Sequence, residues 1–465
     1  MDVASAFDVI KDRPYAFFLD SGMGPANLGR YSFIGCDPFL VLKSKGGRLS
    51  VAPPGGEKWE EGNPFERLRM LLSRYWVDAP GSPVPLNGGA VGYLSYDLCH
   101  WVERLPATAV DDLDLPECVL GFYDVTIAFD NLTGRSHIVS TGFPEADEKK
   151  RLVRAGERMD EAHHLLSRAL RMKGEHFFEP PDARVRLRSN FAPDEYLAAV
   201  RQAREYIIAG DIFQVNLSQR FEADLAVSPY ELYRRLRAAN PAPFACYLDM
   251  DDVVVAGSSP ERFLRLRGRT VETRPIKGTR PRGQDASADE ALARELLASY
   301  KDRAENVMIV DLERNDLGRV CKFGSVRVKE LAALETFPTV FHLTSTVVGE
   351  LRGGTDRVDL LYATFPGGSI TGAPKVRSME IIDELEPTRR SVYTGAIGYM
   401  SFSGEMDLNI VIRTFLIKGK KAYFQVGGGI VYDSRPDDEY EETLHKAKGL
   451  ISALKLAPRS AVEVA

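Results

Sequence analysis

A lysine, a scattered set of carboxylates and two glycine clusters are the residues whose types could do chemistry together. Lys277 stands in "VETRPIKGTRPRG", where a strand-like segment enters a rigid Pro-Ile-Lys-Gly-Thr turn. That setting suits a freely solvated tail poorly, and a surface charge, a phosphate clamp and a nucleophile all stay open for it. Partial burial, or the neighbouring Arg274, Arg280 and Arg282, would lower its pKa and supply the neutral amine that nucleophilic or base chemistry needs. Glu305 follows "KDRA" with Asp302 one turn earlier, and Glu442 sits far away on the C-terminal helix. Brought together, these glutamates give an oxygen-only site suited to magnesium, which keeps waters and takes further ligands from substrate. Apart, they are ordinary surface carboxylates, and spacing alone does not choose.

The segment "FPGGSITGAPK" places Gly367, Gly368, Thr371 and Gly372 just before a helix beginning at Pro374, so backbone N–H groups and the helix dipole can receive a carboxylate or phosphate. "QVGGGIVYDS" leaves a strand through Gly427, Gly428 and Gly429, which lets backbone approach a ligand closely. Neither matches a P-loop or a dinucleotide fingerprint, and tight turns needed only for folding would account for either. Arg413 is a charge inside the apolar run "LNIVIRTFLI", where a guanidinium calls for an anion, either a structural carboxylate or a ligand. His342, in "FHLTSTVVG", fits a satisfied structural histidine as well as a site residue.

The elements that must position these groups are partly legible. Up to about Ala183 the chain is rich in short apolar runs broken by Gly and Pro, such as "YAFFLDSG", "YSFIG", "FLVLKSKGGRLSV" and "GGAVGYLSYDL", which predict strands and hairpins. A charged helical stretch, "PEADEKKRLVRAGERMDEAHHLLSRALRM", and a polar connector, "KGEHFFEPPDARVRLRSN", follow. They suggest a strand-rich region 1–183 and a second region 184–465, intertwined in one compact unit. "PDEYLAAVRQAREYIIAGD" predicts a helix with Tyr196, Val200, Ala203 and Ile207 inward and Gly210 at its exit. "IFQVNLSQRFEA" predicts a strand with Phe213, Val215, Leu217 and Phe221 on one face and Gln214, Asn216, Ser218 and Arg220 on the other. Later helices are expected over "ADEALARELLASYKDRAENVMIVDLERND", "APKVRSMEIIDELEP" and "DDEYEETLHKAKGLISALKL". In the last, Tyr440, Leu444, Ala447, Ile451 and Leu454 form the buried stripe while Glu439, Glu442 and Lys446 share another face.

With 465 residues, 44% hydrophobic and 27% charged, the chain can bury a large core and reads as globular. No apolar run approaches the roughly 20 residues of a membrane helix, and the N-terminus lacks the basic start of a signal peptide, so a cytoplasmic protein is expected. Sixty Lys and Arg against 66 Asp and Glu give a formal charge of −6, which offers no general attraction to nucleic acid or anionic membrane. The five cysteines are scattered singly, as reduced thiols would be.

Taken in order, "GDIFQVNLSQRF", "GSSPERFL", "RPIKGTRPRG", "AENVMIVDLERNDLGRV", "GSVRV", "HLTSTVVG", "FPGGSITGAPK", "YTGAIGY", "MDLNIVIRT" and "GGGIVYDSRPDDEYEETLHKAK" closely resemble the chorismate-utilising enzymes. The branch is that of component I of the aminodeoxychorismate and anthranilate synthases. The likeness runs from about Ala192 to Leu454, with weaker matches at "FFLDSG", "GRYSFIG" and "GGAVGYLSYD". It implies an anthranilate-synthase-component-I-like α/β (α+β) fold: two large packed β-sheets, helices outside, and the active site in the cleft between them.

By the same resemblance, Glu305 and Glu442 would hold Mg2+ against the ring carboxylate of chorismate, while Tyr393, Arg413 and backbone from Thr371, Gly372 and Gly427, Gly428 and Gly429 bind its carboxylates. Gln214 and Lys446 complete the substrate-binding set. Glu261 would be the general acid or base near the leaving hydroxyl, and His342 would line the ring pocket. The physical logic agrees, because chorismate is a dianion that a metal, an arginine and helix-terminal amides can bind on an acidic chain.

Two positions discriminate within the family. Where water-using members resemble a lysine base, this chain has Gln214, whose amide cannot deprotonate water, so ammonia is the expected nucleophile. Where anthranilate synthases typically read Pro-Ile-Ala-Gly-Thr, this chain reads Pro-Ile-Lys-Gly-Thr, the aminodeoxychorismate synthase pattern, and "MDLNI" supports the same choice. Lys277 is then expected to act covalently, with anthranilate synthesis and a catalytically idle ligand-binding homologue as the rival readings. No segment resembles a glutamine amidotransferase, so ammonia is expected from solution or from a separate glutaminase subunit (component II), and the lyase that makes 4-aminobenzoate is expected on another protein. "LDSG" and "RYSF" resemble the family's tryptophan pocket, to which Ser21, Arg30, Tyr31, Ser32 and Phe33 would contribute. Asp20 in place of the usual Glu argues against feedback inhibition, and an ordinary hairpin explains the segment equally well.

Overall fold

The computed structural model describes residues 2–21, 28–169 and 185–454, and the backbone of 462–464. The expected boundary at 183/184 falls outside the described residues. Among those described, two twelve-stranded sheets carry the fold. The first runs through Val185–Ser189, Gln214–Asp224, Lys421–Ile430, Thr414–Lys418, Val254–Ser259, Phe244–Asp249, Phe17–Asp20, Tyr31–Gly35 and Val125–Asp130. The second runs through Ile276–Pro281, Val340–Glu350, Thr270–Arg274, Arg262–Arg267, Met406–Ile410, Ala396–Ser401, Gly89–Leu94, Cys118–Tyr123 and Leu40–Lys45. Each sheet therefore takes strands from both sides of residue 184. Pairing is antiparallel except where Val185–Leu187 meets Val462–Val464.

The sheets pack through side chains that alternate inward along their strands, among them Phe17, Phe33, Tyr93, Tyr123, Val255 and Tyr399. Phe17 meets Tyr123 edge-on at 4.6 Å between ring centroids, and Phe33 meets Tyr399 at 5.3 Å. Each such buried aromatic contributes roughly 1.5–3 kcal/mol. Helices cover the outer faces: Val3–Phe7, Glu148–Ala169, Pro229–Ala239, Lys375–Leu385 and Pro436–Leu454 on the first sheet, and Pro64–Arg74, Tyr300–Gly318 and Arg357–Thr364 on the second.

The N-terminal strands lie where the apolar runs predict them, with "KSKGGRLS" turning through Gly46 and Gly47 at φ of 55° and 85°. The helix Pro193–Ile208 buries Tyr196, Ala199, Val200 and Ala203 and ends before Gly210 at φ 84°. Four expectations need correction. The long segment 288–316 is two helices, Ala286–Ala298 and Tyr300–Gly318, because Ser299 leaves helical geometry and its side chain accepts the Asp302 N–H. In Pro436–Leu454 the buried stripe is Glu439, Thr443, Ala447, Leu450, Ala453 and Leu454, so Tyr440, Leu444 and Ile451 sit at its margin. Phe213 precedes the strand Gln214–Asp224 and is 72% exposed rather than turned into the core. Lys277 lies not in a turn but inside the strand Ile276–Pro281, at a bulge where the register shifts between Ile276 and Thr279.

Candidate functional site

Two places where the chain passes from one sheet to the other build the centre of the site. Residues 260–261 connect Val254–Ser259 to Arg262–Arg267, and residues 411–413 connect Met406–Ile410 to Thr414–Lys418. The crossings are zipped together: the Ser259 hydroxyl donates to the Ile410 carbonyl at 2.6 Å, Ile410 N–H to the Glu261 carbonyl at 3.0 Å, and Ser258 N–H to the Arg413 carbonyl at 3.1 Å. Arg413 adopts φ 51°, a conformation that costs a non-glycine residue energy, so its side chain leaves the crossing at a fixed place. It is not inside a strand, as its apolar neighbours suggested. No ion pair engages it among the described residues, burial lowers its pKa, and Glu261 is the charge that opposes the shift.

Lys277 sits between these crossings and the "FPGGSITGAPK" loop. Gly278 follows it at φ 81°, the left-handed turn of the bulge, and a Cβ there would press on Asp302 and Leu296 at 3.0 Å. The amine donates to the Ser369 carbonyl at 3.0 Å. Burial lowers its pKa, Lys446 pushes the same way, and the carboxylates of Glu305, Glu261 and Glu442 oppose. The neighbouring arginines are not the cause: Arg274 pairs with Glu335, Arg280 with Glu295 and Asp302, and Arg282 with Asp289.

Glu261 is buried, and burial raises its pKa; the Ser369 hydroxyl, Lys277, the Ile276 N–H at 3.4 Å and Arg413 hold the rise back. His342 packs edge-on against Phe337, pairs through Nδ1 with the Thr279 hydroxyl at 2.8 Å, and leaves its buried Nε2 without a partner among the described residues. Burial and Arg413 push its pKa down to about 3, so the ring is neutral at ordinary pH.

The opposite wall comes from the first sheet. Gln214–Asp224 pairs with Lys421–Ile430 so that Asn216 faces Gly429, Leu217 faces Gly428 and Ser218 faces Gly427. A Cβ at Gly429 would lie 2.0 Å from the Gln214 amide nitrogen, and one at Gly428 would lie 3.1 Å from a Glu439 oxygen and 3.5 Å from a Glu442 oxygen. The glycines therefore admit polar side chains against bare backbone. Gln214 is buried, and its side-chain amide oxygen has no partner among the described residues. Gly372 pairs with Val215 at φ 147°, where a Cβ would meet the Gln214 carbonyl at 2.2 Å. Thr371 points its hydroxyl back to the Gly367 carbonyl at 3.0 Å, its N–H donates to the Gly368 carbonyl at 3.3 Å, and its carbonyl accepts the Asn216 N–H at 2.8 Å.

Glu305 on the helix Tyr300–Gly318 and Glu442 on the helix Pro436–Leu454 lie near enough for the Glu442 charge to act on Glu305. Burial raises the Glu305 pKa, Lys277 and Lys301 oppose, and Asp302 and Glu442 add. Glu442 is lowered, chiefly by Lys446, whose amine lies 2.7 Å away and also donates to the Gly427 carbonyl at 2.8 Å. Two carboxylates whose charges repel could offer oxygen ligands to a divalent cation, which would relieve the repulsion. Among the described residues no group of three or more His, Cys, Asp or Glu side chains gathers as a metal cage, so water and substrate oxygens would have to complete any such coordination.

The site thus joins both sheets around one lysine, one buried acid and two carboxylates from different helices. A model for chorismate binding enzymes matches residues 25–452 of this sequence. The chain belongs to the chorismate-binding enzyme family. It is 40% identical over 451 residues to aminodeoxychorismate synthase component 1 of Bacillus subtilis (strain 168), covering 96% of this chain and 93% of that protein. It is equally 40% identical over 458 residues to anthranilate synthase component 1 of Acetivibrio thermocellus, covering 97% and 92%. The crystal structure of anthranilate synthase component I from Streptococcus pneumoniae TIGR4 superposes with a TM-score of 0.79 at 34% identity, over 90% of this chain and 92% of that one. No helix among the described residues of this chorismate-binding enzyme is long and apolar enough to cross a membrane.

Several groups that hold the site are not among those the sequence singled out. Ser369 receives Lys277 and also the Asn216 amide at 2.7 Å through its backbone carbonyl, which carries no residue-type signal. Glu386 and Arg390 form a buried pair at 2.7 Å behind Tyr393, and Arg390 donates to the Ile370 carbonyl at 2.9 Å and the Asn216 carbonyl at 2.8 Å. Their i, i+4 spacing was a usable signal, hidden because Pro387 interrupts the helix pattern. Tyr393 lies beside the Arg390 guanidinium, 5.8 Å from it, and burial raises its pKa.

In the chorismate-binding enzyme's N-terminal part, Ser21, Arg30, Tyr31 and Phe33 line a separate cavity with about 650 Å3 of empty space, part of it open to solvent. Ser32 does not face it: strand alternation turns its hydroxyl the other way, to accept the Ser21 N–H at 3.1 Å. Asp20 is likewise turned into the core, where Arg237 and the Tyr233 hydroxyl bind it.

Proposed function

We propose that this chain is component I of an aminodeoxychorismate synthase, converting chorismate and ammonia to 4-amino-4-deoxychorismate in the cytoplasm. The observation that carries the reading is the Lys277 amine, fixed by the Ser369 carbonyl in a strand bulge, with a pKa lowered by burial and a buried acid, Glu261, close by. Only an amine that is neutral part of the time can be a nucleophile, and only a carboxyl that holds its proton can release a hydroxyl as water.

The neutral Lys277 amine attacks ring carbon 2 while the ring double bonds shift and the carbon 4 hydroxyl leaves, taking the proton of Glu261. The new ammonium centre returns a proton to Glu261. Ammonia then adds at carbon 4, the bond from carbon 2 to the lysine breaks, and the amine takes up the proton that ammonia releases. Chorismate and ammonia become aminodeoxychorismate and water, and the enolpyruvyl group stays in place. Glu305 and Glu442 would hold a magnesium ion, which supplies electron withdrawal and charge neutralisation at the ring carboxylate. Arg413, Tyr393 and the backbone of Thr371, Gly372 and Gly427, Gly428 and Gly429 orient the dianion. Neutral His342 and Gln214 line the ring pocket without supplying a base for water.

The naming of both relatives as component 1 supports a separate partner subunit, which we assign as a glutamine amidotransferase that delivers ammonia. The N-terminal cavity is where tryptophan would bind. Anthranilate synthesis is the second reading, favoured by the Acetivibrio and Streptococcus relatives. The test is Lys277→Ala assayed with chorismate, magnesium and ammonium. Chorismate binding should persist while aminodeoxychorismate formation falls, and unchanged turnover would remove the covalent role.

A further inference from the structure

The helix Tyr300–Gly318 carries Glu305 into the cleft and, eight residues later, a second acid into the interior. Glu313 is only 2% exposed. One of its oxygens accepts the Gly368 N–H at 3.1 Å and the other the Thr273 hydroxyl at 3.4 Å. Gly368 opens the short turn Gly368–Ile370, and the Ser369 carbonyl of that turn receives the Lys277 amine. Thr273 lies on the strand Thr270–Arg274, four residues before Lys277. Glu313 therefore ties the strand that leads to the lysine to the loop that holds it.

The tie is local and specific. A Cβ at Gly368 would sit 2.6 Å from the Leu312 methyl and 3.1 Å from a Glu313 oxygen, so a side chain there would displace Leu312 and crowd the carboxyl. One turn further on, Asp316 pairs with Lys375, whose amine also donates to the Thr364 carbonyl at 2.9 Å and the Pro366 carbonyl at 2.8 Å. The "FPGG" segment is thus gripped twice from one helix face, once by an ion pair and once by Glu313. Burial pushes the Glu313 carboxyl up to about 7, Asp316 adds, and Lys375 and the Gly368 N–H oppose.

We propose that Glu313 is a positioning residue: its carboxyl group fixes the Gly368–Ile370 turn, and through the Ser369 carbonyl it sets where the Lys277 amine stands. The catalytic meaning of that placement rests on the reading of Lys277 as the nucleophile, whereas the placement itself does not.

The test compares Glu313→Leu, which removes both acceptors, with Glu313→Gln, which keeps an oxygen for Gly368. Two readouts are taken on the full chain. The first, without chorismate, is the acetylation rate of Lys277 by acetic anhydride at one fixed pH, relative to exposed Lys448, read by mass spectrometry. The second is kcat and KM with chorismate, magnesium and ammonium. Misplacing a reacting group by about 1 Å costs up to about 100-fold. Glu313→Leu should therefore lower kcat by about 10- to 100-fold, leave KM within about threefold, and change the acetylation ratio at least about threefold, while Glu313→Gln restores both readouts. If Glu313→Leu does not fold, Thr273→Val, which removes one hydroxyl from the tie, should move the acetylation ratio in the same direction by a smaller factor. An unchanged acetylation ratio in the variant tested, or a Glu313→Gln enzyme as impaired as Glu313→Leu, overturns the proposal. Anthranilate as the wild-type product would instead overturn the functional reading and leave the acetylation result standing.

Discussion

Gly429→Ala is the substitution whose consequence follows most directly from the geometry. The added methyl would lie 2.0 Å from the Gln214 amide nitrogen and 3.1 Å from its carbonyl carbon. Ordinary contacts are about 3.5–4.0 Å, so the overlap is roughly 1.5 Å. The Gln214 backbone cannot yield: its carbonyl accepts the Ser378 hydroxyl at 3.0 Å, and the adjoining Phe213 N–H donates to Ala373 at 2.7 Å. The amide must swing off the strand into the ring pocket, with an overpacking cost of about 1–3 kcal/mol. Gly429 has no left-handed φ to add a backbone term. Urea unfolding should report that loss, and isothermal titration should report chorismate binding weakened by roughly 5- to 100-fold where the amide enters the ring's volume. The control is Gln214→Ala, in which the clash is gone and the methyl keeps the Asn216 oxygen at an ordinary 3.4 Å, so that it should cost less than about 0.5 kcal/mol. An equal cost in both backgrounds would refute the claim that Gly429 is glycine to make room for Gln214.

Glu386→Gln leaves Arg390 buried without its counter-charge, and unfolding free energy should fall by about 3–5 kcal/mol; a loss under about 1 kcal/mol in urea titration would show the pair is not what braces Ile370 and Asn216. Chelation with EDTA should abolish turnover and added magnesium should restore it, while Glu305→Gln and Glu442→Gln should each raise the magnesium concentration needed by at least about tenfold; unchanged magnesium dependence would remove these glutamates from the metal. Glu313 has a folded-state pKa of about 7, above its unfolded value, so its stability contribution is full below about pH 4.3 and is lost as pH rises through 7. Glu313→Gln stays neutral, so its stability relative to wild type should increase from pH 5 to pH 8, and a pH-independent difference in urea midpoints would contradict the shift.

The sequence made the regular elements legible because their periodicities are local. The helix Pro193–Ile208 and the strand Gln214–Asp224 follow from apolar spacing, a proline entry and a glycine exit. What escaped was set by partners far away in the chain. Lys277 reads as a turn because Pro, Gly and Thr surround it, but the long strand Val340–Glu350 absorbs the irregularity as a bulge. Arg413 reads as a strand residue because its neighbours are apolar, yet those neighbours are buried at a crossing between sheets. The C-terminal stripe turned by about one position because helix Pro436–Leu454 packs on both a strand and neighbouring helices, so that Glu439 is buried with it. Composition could not have chosen Ser369, since the atom that matters there belongs to the backbone.

The assignment to aminodeoxychorismate synthesis stands or falls on the compound released. Purified protein incubated with chorismate, magnesium chloride and ammonium chloride, then analysed by mass spectrometry, should yield 4-amino-4-deoxychorismate with its enolpyruvyl group intact and no pyruvate. Anthranilate together with an equal amount of pyruvate would contradict it and assign the chain to the other branch of its family.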